Sequence, residues 1–386
     1  MNVNNLRAEK QKGENKNFFQ IDLLKAFMIA FVIIDHGFGY TDRSGLGTEL
    51  WERMAIPFFL IILGFNMGKS FSREDNRSLK SLYSLSYFKK KFWRFLFPYL
   101  VFYIVSTSIG FLIYGSYFPE TFYENWFLEY IIFQRSLLEG PGNWFIPVLF
   151  QSILIMPLLY YLFTKKPVLS LIMCFIIEIC WHLLIFFYIG PVTGVDDILR
   201  EIPFRLVVFL YLSAIGMGIW FSQKHKIFSK RNIFVWLLFP ISLIYMILWD
   251  FFGFRLQIDG ADLVRGDYNY LTFIYAALIF LIVLRLLPKS PKSIISKTIS
   301  PLGKATFHIY LVQDLYYVIL YINFNYVWNS PGFGGLVNPF GIASTDLLTN
   351  IGLLTVNWII CFSIGIIWWY FEKQLLNLFS RHYKSN

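Results

Sequence analysis

The stretch DLLKAFMIAFVIIDHG, residues 22–37, is apolar over most of its length yet carries four ionisable side chains. These are Asp22, Lys25, Asp35 and His36. A long apolar run is typical of a helix that crosses the hydrocarbon layer of a membrane. Ionisable groups are costly in that layer and usually mark a functional site. The stretch therefore predicts a membrane-spanning fold with a polar site inside it.

The composition of the whole chain supports a membrane protein. Of its 386 residues, 56% are hydrophobic and 15% are charged, whereas soluble domains carry about 25% charged residues. The net charge of +10 is explained by the excess of Lys and Arg in cytoplasmic loops, so no nucleic-acid partner is expected. The three cysteines lie in apolar runs without the spacing of a metal site, and we expect no bound metal or cofactor.

The distribution of apolar runs predicts an all-α, polytopic integral membrane protein with about ten transmembrane helices. They are expected near 19–40, 52–71, 94–115, 143–164, 168–189, 204–222, 233–252, 270–287, 302–324 and 346–370. The connecting segments alternate between Lys/Arg-rich and mixed or acidic, which predicts that both termini are cytoplasmic. We therefore expect a single transmembrane domain over residues 19–371, flanked by cytoplasmic tails at 1–18 and 372–386.

Helical geometry sorts the four ionisable groups of the first segment. At about 100° per residue, Asp22, Lys25 and His36 share one stripe, and Asp35 points about 100° away from His36. The rise of about 1.5 Å per residue separates Lys25 from His36 by roughly 16 Å along the axis. Histidine accepts protons near neutral pH, so the stripe indicates a polar passage for a long ligand. The alternative is that Asp22 and Lys25 neutralise each other and His36 caps the helix at the membrane interface.

Five motifs follow one another along the chain. They are K25-AFMIAFVIID-H36, RMAIPFFLIILGF from Arg53, KKKFWRFLFPYL with Arg94, GNWFIPVLFQ with Trp144, and LGKATFHIYLVQDLYY with Tyr310 and Gln313. In this order they resemble the acyltransferase-3 family of multi-pass bacterial membrane acyltransferases, especially its fucose 4-O-acetylase-like branch. The family usually has arginine where this chain has Lys25, and many members have histidine where it has Gln313. No role of that histidine is therefore transferred to Gln313.

The resemblance implies an activity and a location. It implies an enzyme of the bacterial cytoplasmic membrane that transfers an acyl group from cytoplasmic acyl-CoA, usually acetyl-CoA, to a hydroxyl of a cell-surface or lipid-linked glycan. It also implies that His36 is essential. We expect His36 to act as general base on the acceptor hydroxyl, and acetylation of His36 itself is the alternative route.

The remaining site residues are expected to serve the donor, the base or the acceptor. Phosphates of acyl-CoA suit cations, so we expect donor binding by Lys25, Lys90, Lys91 and Arg94. A carboxylate should orient the imidazole, and the candidates are Asp35 and Asp314. We expect the acceptor side of the site to be lined by Arg53, Trp144, Tyr310 and Gln313.

Each of these assignments has a competing interpretation. Arg53 and Trp144 also suit simple anchoring at the membrane interface. Glu178 and His182, four residues apart, indicate a buried structural pair or a second polar relay, and His308 suits a hydrogen bond in the core. The competing function is export of a polysaccharide or glycolipid, since polar stripes within the membrane also serve transport.

Overall fold

The computed structural model describes residues 18–38, 50–51, 53–74, 76–114, 140–190, 204–223, 229–264, 268–288, 294–323, 336–342 and 346–382. Within these residues the regular structure is helical apart from one short hairpin and one isolated bridge between Phe38 and Leu336. The predicted N-terminal tail, up to residue 17, lies outside the described residues.

The helices begin and end at defined residues, and most agree with the predicted segments. In chain order they are α1 (Phe19–Gly37), α2 (Ala55–Phe71), α3 (Leu79–Leu82), α4 (Leu85–Lys91), a π-helical turn (Phe92–Leu96), α5 (Phe97–Tyr114), α6 (Phe145–Lys165), α7 (Pro167–Ile189), a 3₁₀ turn (Val208–Tyr211), α8 (Leu212–Gln223), a 3₁₀ turn (Lys230–Asn232), α9 (Ile233–Phe252), α10 (Tyr270–Leu286), α11 (Ile294–Asn323) and α12 (Leu347–His382).

Five helical stretches among the described residues are long and apolar enough to cross a membrane. They are Leu79–Leu112, Phe145–Lys165, Pro167–Ile189, Lys230–Phe252 and Leu347–Leu378. Three further apolar helices are shorter, at Ala55–Phe71, Val208–Gln223 and Tyr270–Leu286. The chain is therefore a helical membrane protein, while the count of ten spans and the side of each terminus stay predictions.

The last two helices are longer than predicted. Helix α11 begins at Ile294 and α12 continues to His382, whereas the predicted segments began at 302 and ended at 370. No glycine or proline follows Gly365, so nothing in the sequence ends the helix where the apolar run ends. The start of the predicted C-terminal tail, at residue 372, is therefore part of α12.

A contact between small residues joins α2 to α8. A Cβ at Gly64 would lie within 3.0 Å of the Ile215 carbonyl oxygen, and a Cβ at Gly218 would lie within 3.0 Å of the Ile61 carbonyl oxygen. Helices in a membrane associate through such close packing, because surrounding lipid is as apolar as the helices. Gly64 meets Ile215 and Gly68 meets Ser222, so the two helices run parallel.

A second close contact joins α1 to α11, which are far apart in sequence. A Cβ at Gly303 would lie within 3.0 Å of the Asp22 backbone, and the Tyr317 hydroxyl donates to the Ile33 carbonyl at 2.8 Å. Both contacts advance in the same direction along the two helices, so α1 and α11 are parallel. The end of α1 that carries His36 therefore lies beside the second half of α11.

Helix α6 contains Pro157, which has no N–H to donate to the carbonyl four residues earlier. That carbonyl, of Ile153, accepts a hydrogen bond from the Tyr87 hydroxyl at 2.8 Å. The neighbouring Leu154 carbonyl accepts one from the Tyr83 hydroxyl at 2.9 Å. The proline thus frees one acceptor, the Ile153 carbonyl, and both bonds join the α3–α4 segment to the middle of α6.

The hairpin pairs β1 (Gln257–Ile258) with β2 (Ala261–Asp262). Its two turn residues, Asp259 and Gly260, have φ angles of 50° and 77°. Positive φ at both positions defines a type I′ turn, for which Asp-Gly is a preferred sequence. The segment was expected only as a connecting loop, although its Asp-Gly pair is a hairpin signal.

Alanine at Gly218 should destabilise the bundle because its Cβ would overlap backbone atoms of α2. We expect Gly218→Ala to lower the free energy of unfolding by about 1–3 kcal/mol. Gly352→Ala is the matched control, because a Cβ there meets nothing within 4 Å and alanine favours a helix. Thermal unfolding of both purified variants in detergent checks this; equal midpoints would contradict the role of the α2–α8 contact.

Candidate functional site

The imidazole of His36 is buried at the last turn of α1 and is held by a residue of α11. Its Nδ1–H donates to the Gln313 Oε1 at 2.7 Å, and Gln313 has no exposed surface. Because an amide oxygen only accepts, this arrangement places the proton on Nδ1 and the lone pair on Nε2. Nε2 is therefore the nitrogen that can take a proton from another molecule.

The backbone around His36 is fixed by other elements. The Tyr321 hydroxyl donates to the His36 carbonyl at 2.6 Å, and the Val337 N–H donates to the Gly37 carbonyl at 2.7 Å. The ring of Tyr317 meets the imidazole edge-on, with centroids 6.2 Å apart. The carbonyls that a helix leaves unpaired at its C-terminus are thus satisfied here, and the position of His36 is defined.

The two candidate carboxylates have different neighbours. Asp35 Oδ2 lies 3.7 Å from His36 Nε2, so the side chain turns towards the imidazole despite the 100° separation of the two positions on the helix. Asp314 is buried, and its Oδ1 accepts the Gly142 N–H at 3.0 Å. The side chain that accepts the hydrogen bond from His36 Nδ1 is Gln313, the residue before Asp314 in the sequence.

A glycine-containing loop, Gly140–Trp144, packs closely against α11. A Cβ at Gly140 would lie within 3.0 Å of Asp314, and one at Gly142 would lie 3.2 Å from the Gln313 Nε2. The Tyr310 hydroxyl donates to the Gly142 carbonyl. Only glycine permits this approach, so the loop contacts the same glutamine that holds His36.

Trp144 ends this loop and belongs to an aromatic stack. Its ring lies 5.7 Å from that of Tyr211 and 5.8 Å from that of Tyr268, at interplanar angles of 29° and 20°. Trp144 keeps partial exposure. The structure thus brings Trp144, Tyr310 and Gln313 to the end of the bundle that holds His36.

The opposite end of α1 carries a charged cluster. Lys25 Nζ lies 3.0 Å from Asp22 Oδ1, which is the ion pair of the alternative interpretation, in which the two charges neutralise each other. The Ser300 hydroxyl donates to Asp22 Oδ2 at 3.1 Å, and the charges of Arg94 and Lys304 both act on Lys25. Lys25 therefore lies within electrostatic range of two further cations, and this end of α1 carries more positive than negative charge.

The other predicted donor-binding residues lie on the segment that carries Arg94. Arg94 is in the π-helical turn Phe92–Leu96, and such turns are frequent at functional sites. Lys90 is exposed, and the Lys91 ammonium lies 5.4 Å from the Tyr87 ring centroid. Arg94 is thus within electrostatic range of Lys25, while Lys90 and Lys91 lie one turn earlier, on α4.

Arg53 lies at the start of α2 and pairs with α9. Its Nε is 4.0 Å from Asp250 Oδ1, and both side chains are largely buried. A cavity of about 10 Å³ lies between them and is lined also by Pro57, Trp249 and Thr272, which is room for one water molecule. This contact agrees with the interpretation of Arg53 as a group that anchors its helix.

The remaining buried ionisable groups join helices away from His36. His308 Nε2 lies 2.9 Å from Glu372 Oε2, which confirms the predicted core hydrogen bond. Glu178 Oε2 accepts the Ser213 N–H at 2.9 Å, and both Glu178 and His182 are buried. These contacts favour a structural role for the His308–Glu372 pair and for Glu178 and His182.

Two residues of the site, Tyr317 and Tyr321, were not predicted. They follow Gln313 by four and eight residues, and this spacing places all three on one face of α11. The periodicity was visible in the sequence, but tyrosines in an apolar helix are equally typical of packing. Only the position of α1 reveals that this face contacts His36.

Comparison with known proteins identifies the family of the chain. A family model described as an acyltransferase domain, Acyl_transf_3, matches residues 18–371. No curated protein matches the chain, and no solved structure matches it. The family match covers every helix described above except the last turns of α12. The chain therefore belongs to the Acyl_transf_3 family of acyltransferases.

Proposed function

We propose that this membrane acyltransferase moves an acetyl group, or another short acyl group, from cytoplasmic acyl-CoA to a hydroxyl of a cell-surface or lipid-linked glycan. The proposed location is the bacterial cytoplasmic membrane, and His36 is the proposed general base. The hydrogen bond from His36 Nδ1 to Gln313 supports this role most directly, because it directs the lone pair to Nε2.

The proposed reaction needs one proton transfer in each direction. The acceptor hydroxyl oxygen attacks the thioester carbonyl while His36 Nε2 takes the hydroxyl proton. The carbon–sulfur bond then breaks, and the thiolate takes the proton back from the imidazolium, which yields an ester and free CoA. Asp35, 3.7 Å from Nε2, stabilises the imidazolium between the two transfers. In the alternative route the same nitrogen carries the acetyl group.

The charged end of α1 is the proposed site of the donor phosphates. The Arg94 charge acts on Lys25 there, and arginine and lysine are the usual partners of phosphate. An extended pantetheine arm spans roughly 15–20 Å, which matches the separation of roughly 16 Å between Lys25 and His36 along α1. A donor bound along this stripe would bring its thioester to the imidazole.

The aromatic stack at Trp144 is the proposed contact for the acceptor. The loop Gly140–Trp144 connects this stack to Gln313, and Tyr211 and Tyr268 stack against Trp144. Aromatic side chains with a few polar groups are the usual lining of a ligand site. A sugar ring that stacks on this surface would present a hydroxyl beside His36.

Replacement of the base should abolish transfer without loss of donor binding. We expect His36→Ala to lower the transfer rate by roughly 100- to 10,000-fold. Donor affinity should be unchanged, because the donor phosphates lie roughly 16 Å from this residue along the helix axis. The measurements are acetyl transfer from labelled acetyl-CoA in proteoliposomes and CoA binding by calorimetry.

The same variant separates transfer from export. Mass spectrometry of surface glycans and lipid-linked intermediates should show the loss of one acyl mass in cells that carry His36→Ala. Intact acylation with a loss of surface glycan would overturn the proposal and favour an exporter.

We expect Gln313 to position His36 through its Oε1, which accepts the hydrogen bond from Nδ1–H. Activity should therefore depend on an oxygen at this position and not on the amide nitrogen. We expect Gln313→Leu, which leaves Nδ1–H unpaired, to lower kcat by about 10- to 100-fold with little change in the donor KM. Gln313→Glu keeps an oxygen at the same distance and should retain activity within several-fold of the original. Equal loss in both variants would contradict the positioning role.

A cycle of variants at Asp22 and Lys25 separates phosphate binding from structural pairing. Lys25→Met leaves the buried Asp22 carboxylate without its ion pair and should destabilise the protein by about 3 kcal/mol. The double variant Asp22→Asn/Lys25→Met should recover most of this stability. If Lys25 also binds the donor, the double variant should still show a donor KM raised by roughly 10-fold. If the double variant recovered both the stability and the donor KM of the original protein, Lys25 would have only a structural role.

A further inference from the structure

A second cavity lies at the far end of α6 from the Gly140–Trp144 loop. It has a volume of about 470 Å³ and is lined by Arg77, Ser78, Leu79, Tyr161, Thr164 and Lys165. This volume is within the range of small-molecule sites. Its walls combine two cations and three hydroxyl groups with one aliphatic side chain. This set of groups suits a phosphate that is attached to an apolar body.

The two cations of this cavity are available to an anion. Among the described residues, neither Arg77 nor Lys165 has a carboxylate within ion-pair distance. Arg77 uses one Nη2–H to reach the Ser72 carbonyl at 3.0 Å, and its other N–H groups remain. The Ser78 hydroxyl accepts the Ser81 N–H and keeps its own proton for a further acceptor. Arginine, lysine and hydroxyl groups together are typical partners of phosphate oxygens.

An exposed apolar stripe leads from the cavity along α6. Leu154 is 57% exposed and Leu158 is 42% exposed. Both lie within about 40° of Lys165 on the helix. Leu162, one turn before Lys165, is also exposed. In a membrane protein such a face is covered by lipid chains, so the cations stand at the end of a surface that an acyl chain can cover.

The distance from His36 distinguishes this cavity from the proposed donor site, an argument that rests on the proposed function. Helix α6 begins beside the loop that contacts Gln313 and ends at Lys165, which is about 30 Å along its axis. A pantetheine arm of roughly 15–20 Å cannot join phosphates at this cavity to a thioester at His36. A phosphate bound in this cavity would therefore belong to a molecule other than the acyl donor.

We propose that the cavity at Arg77 and Lys165 binds the phosphate headgroup of an anionic phospholipid, with one acyl chain along the Leu154–Leu158 stripe. Basic residues at the ends of membrane helices recognise anionic headgroups through local charge. Here the cavity supplies a defined place for the phosphate, and the stripe distinguishes a lipid from a soluble phosphate compound. The bound lipid would hold the ends of α3 and α6 together.

Native mass spectrometry of the full-length protein in a non-ionic detergent tests this proposal. The titrants are phosphatidylglycerol and phosphatidylcholine with the same acyl chains. We expect Arg77→Gln/Lys165→Gln to weaken phosphatidylglycerol binding by about 25-fold, since each cation contributes roughly 5-fold, and to leave phosphatidylcholine unchanged. The matched control is Lys230→Gln/Arg231→Gln, which removes one exposed lysine and one exposed arginine outside the cavity.

Three results would overturn the proposal. The first is equal phosphatidylglycerol affinity in the original protein and the double variant. The second is displacement of the lipid by glycerol phosphate at an equal apparent affinity, which would identify a soluble phosphate as the ligand. The third is loss of binding in Arg77→Lys/Lys165→Arg with an unchanged melting temperature, since this variant keeps both charges. Binding is measured without donor or acceptor, so it is independent of whether glycan acylation is found.

Discussion

The close parallel contact between α1 and α11 is the interaction on which the site depends. At Gly303 the two backbones approach so closely that a Cβ would overlap Asp22. Because the two helices run parallel from that point, Gln313 and Tyr317 lie beside His36. Lipid provides no hydrophobic force between two apolar helices, so close packing and interhelical hydrogen bonds have to hold them. Both are present here, and the geometry of His36 follows from them.

Several polar groups within the bundle are satisfied by a residue of a different helix. The Ile153 carbonyl exposed by Pro157 accepts from Tyr87, His308 bonds to Glu372, and Tyr321 bonds to the His36 carbonyl. In hydrocarbon an unsatisfied group costs several kcal/mol, so each of these bonds also fixes which helices are neighbours. The polar residues of this apolar chain therefore specify its packing as well as its chemistry.

The sequence predicted the helices well and the site only in part. Apolar runs locate helices because the thickness of the membrane sets their length. The resemblance to the acyltransferase-3 family was confirmed by the match over residues 18–371, and the fucose 4-O-acetylase-like branch stays a prediction. Local geometry predicted the Asp22–Lys25 pair, since both residues lie on one helix. The Gln313 contact was beyond prediction, because it depends on the register of α1 against α11. Asp35 was placed away from His36 by the helical angle, yet side-chain rotation brings it to 3.7 Å.

The separation of 277 residues between His36 and Gln313 has a consequence for biosynthesis. Helix α1 leaves the ribosome and enters the membrane long before α11 is made. Its charged pair needs no later partner, because Asp22 and Lys25 are three residues apart and neutralise each other at once. The Nδ1 of His36, in contrast, bonds to Gln313, which is synthesised 277 residues later. The imidazole therefore acquires the contact that orients it only when synthesis is nearly complete.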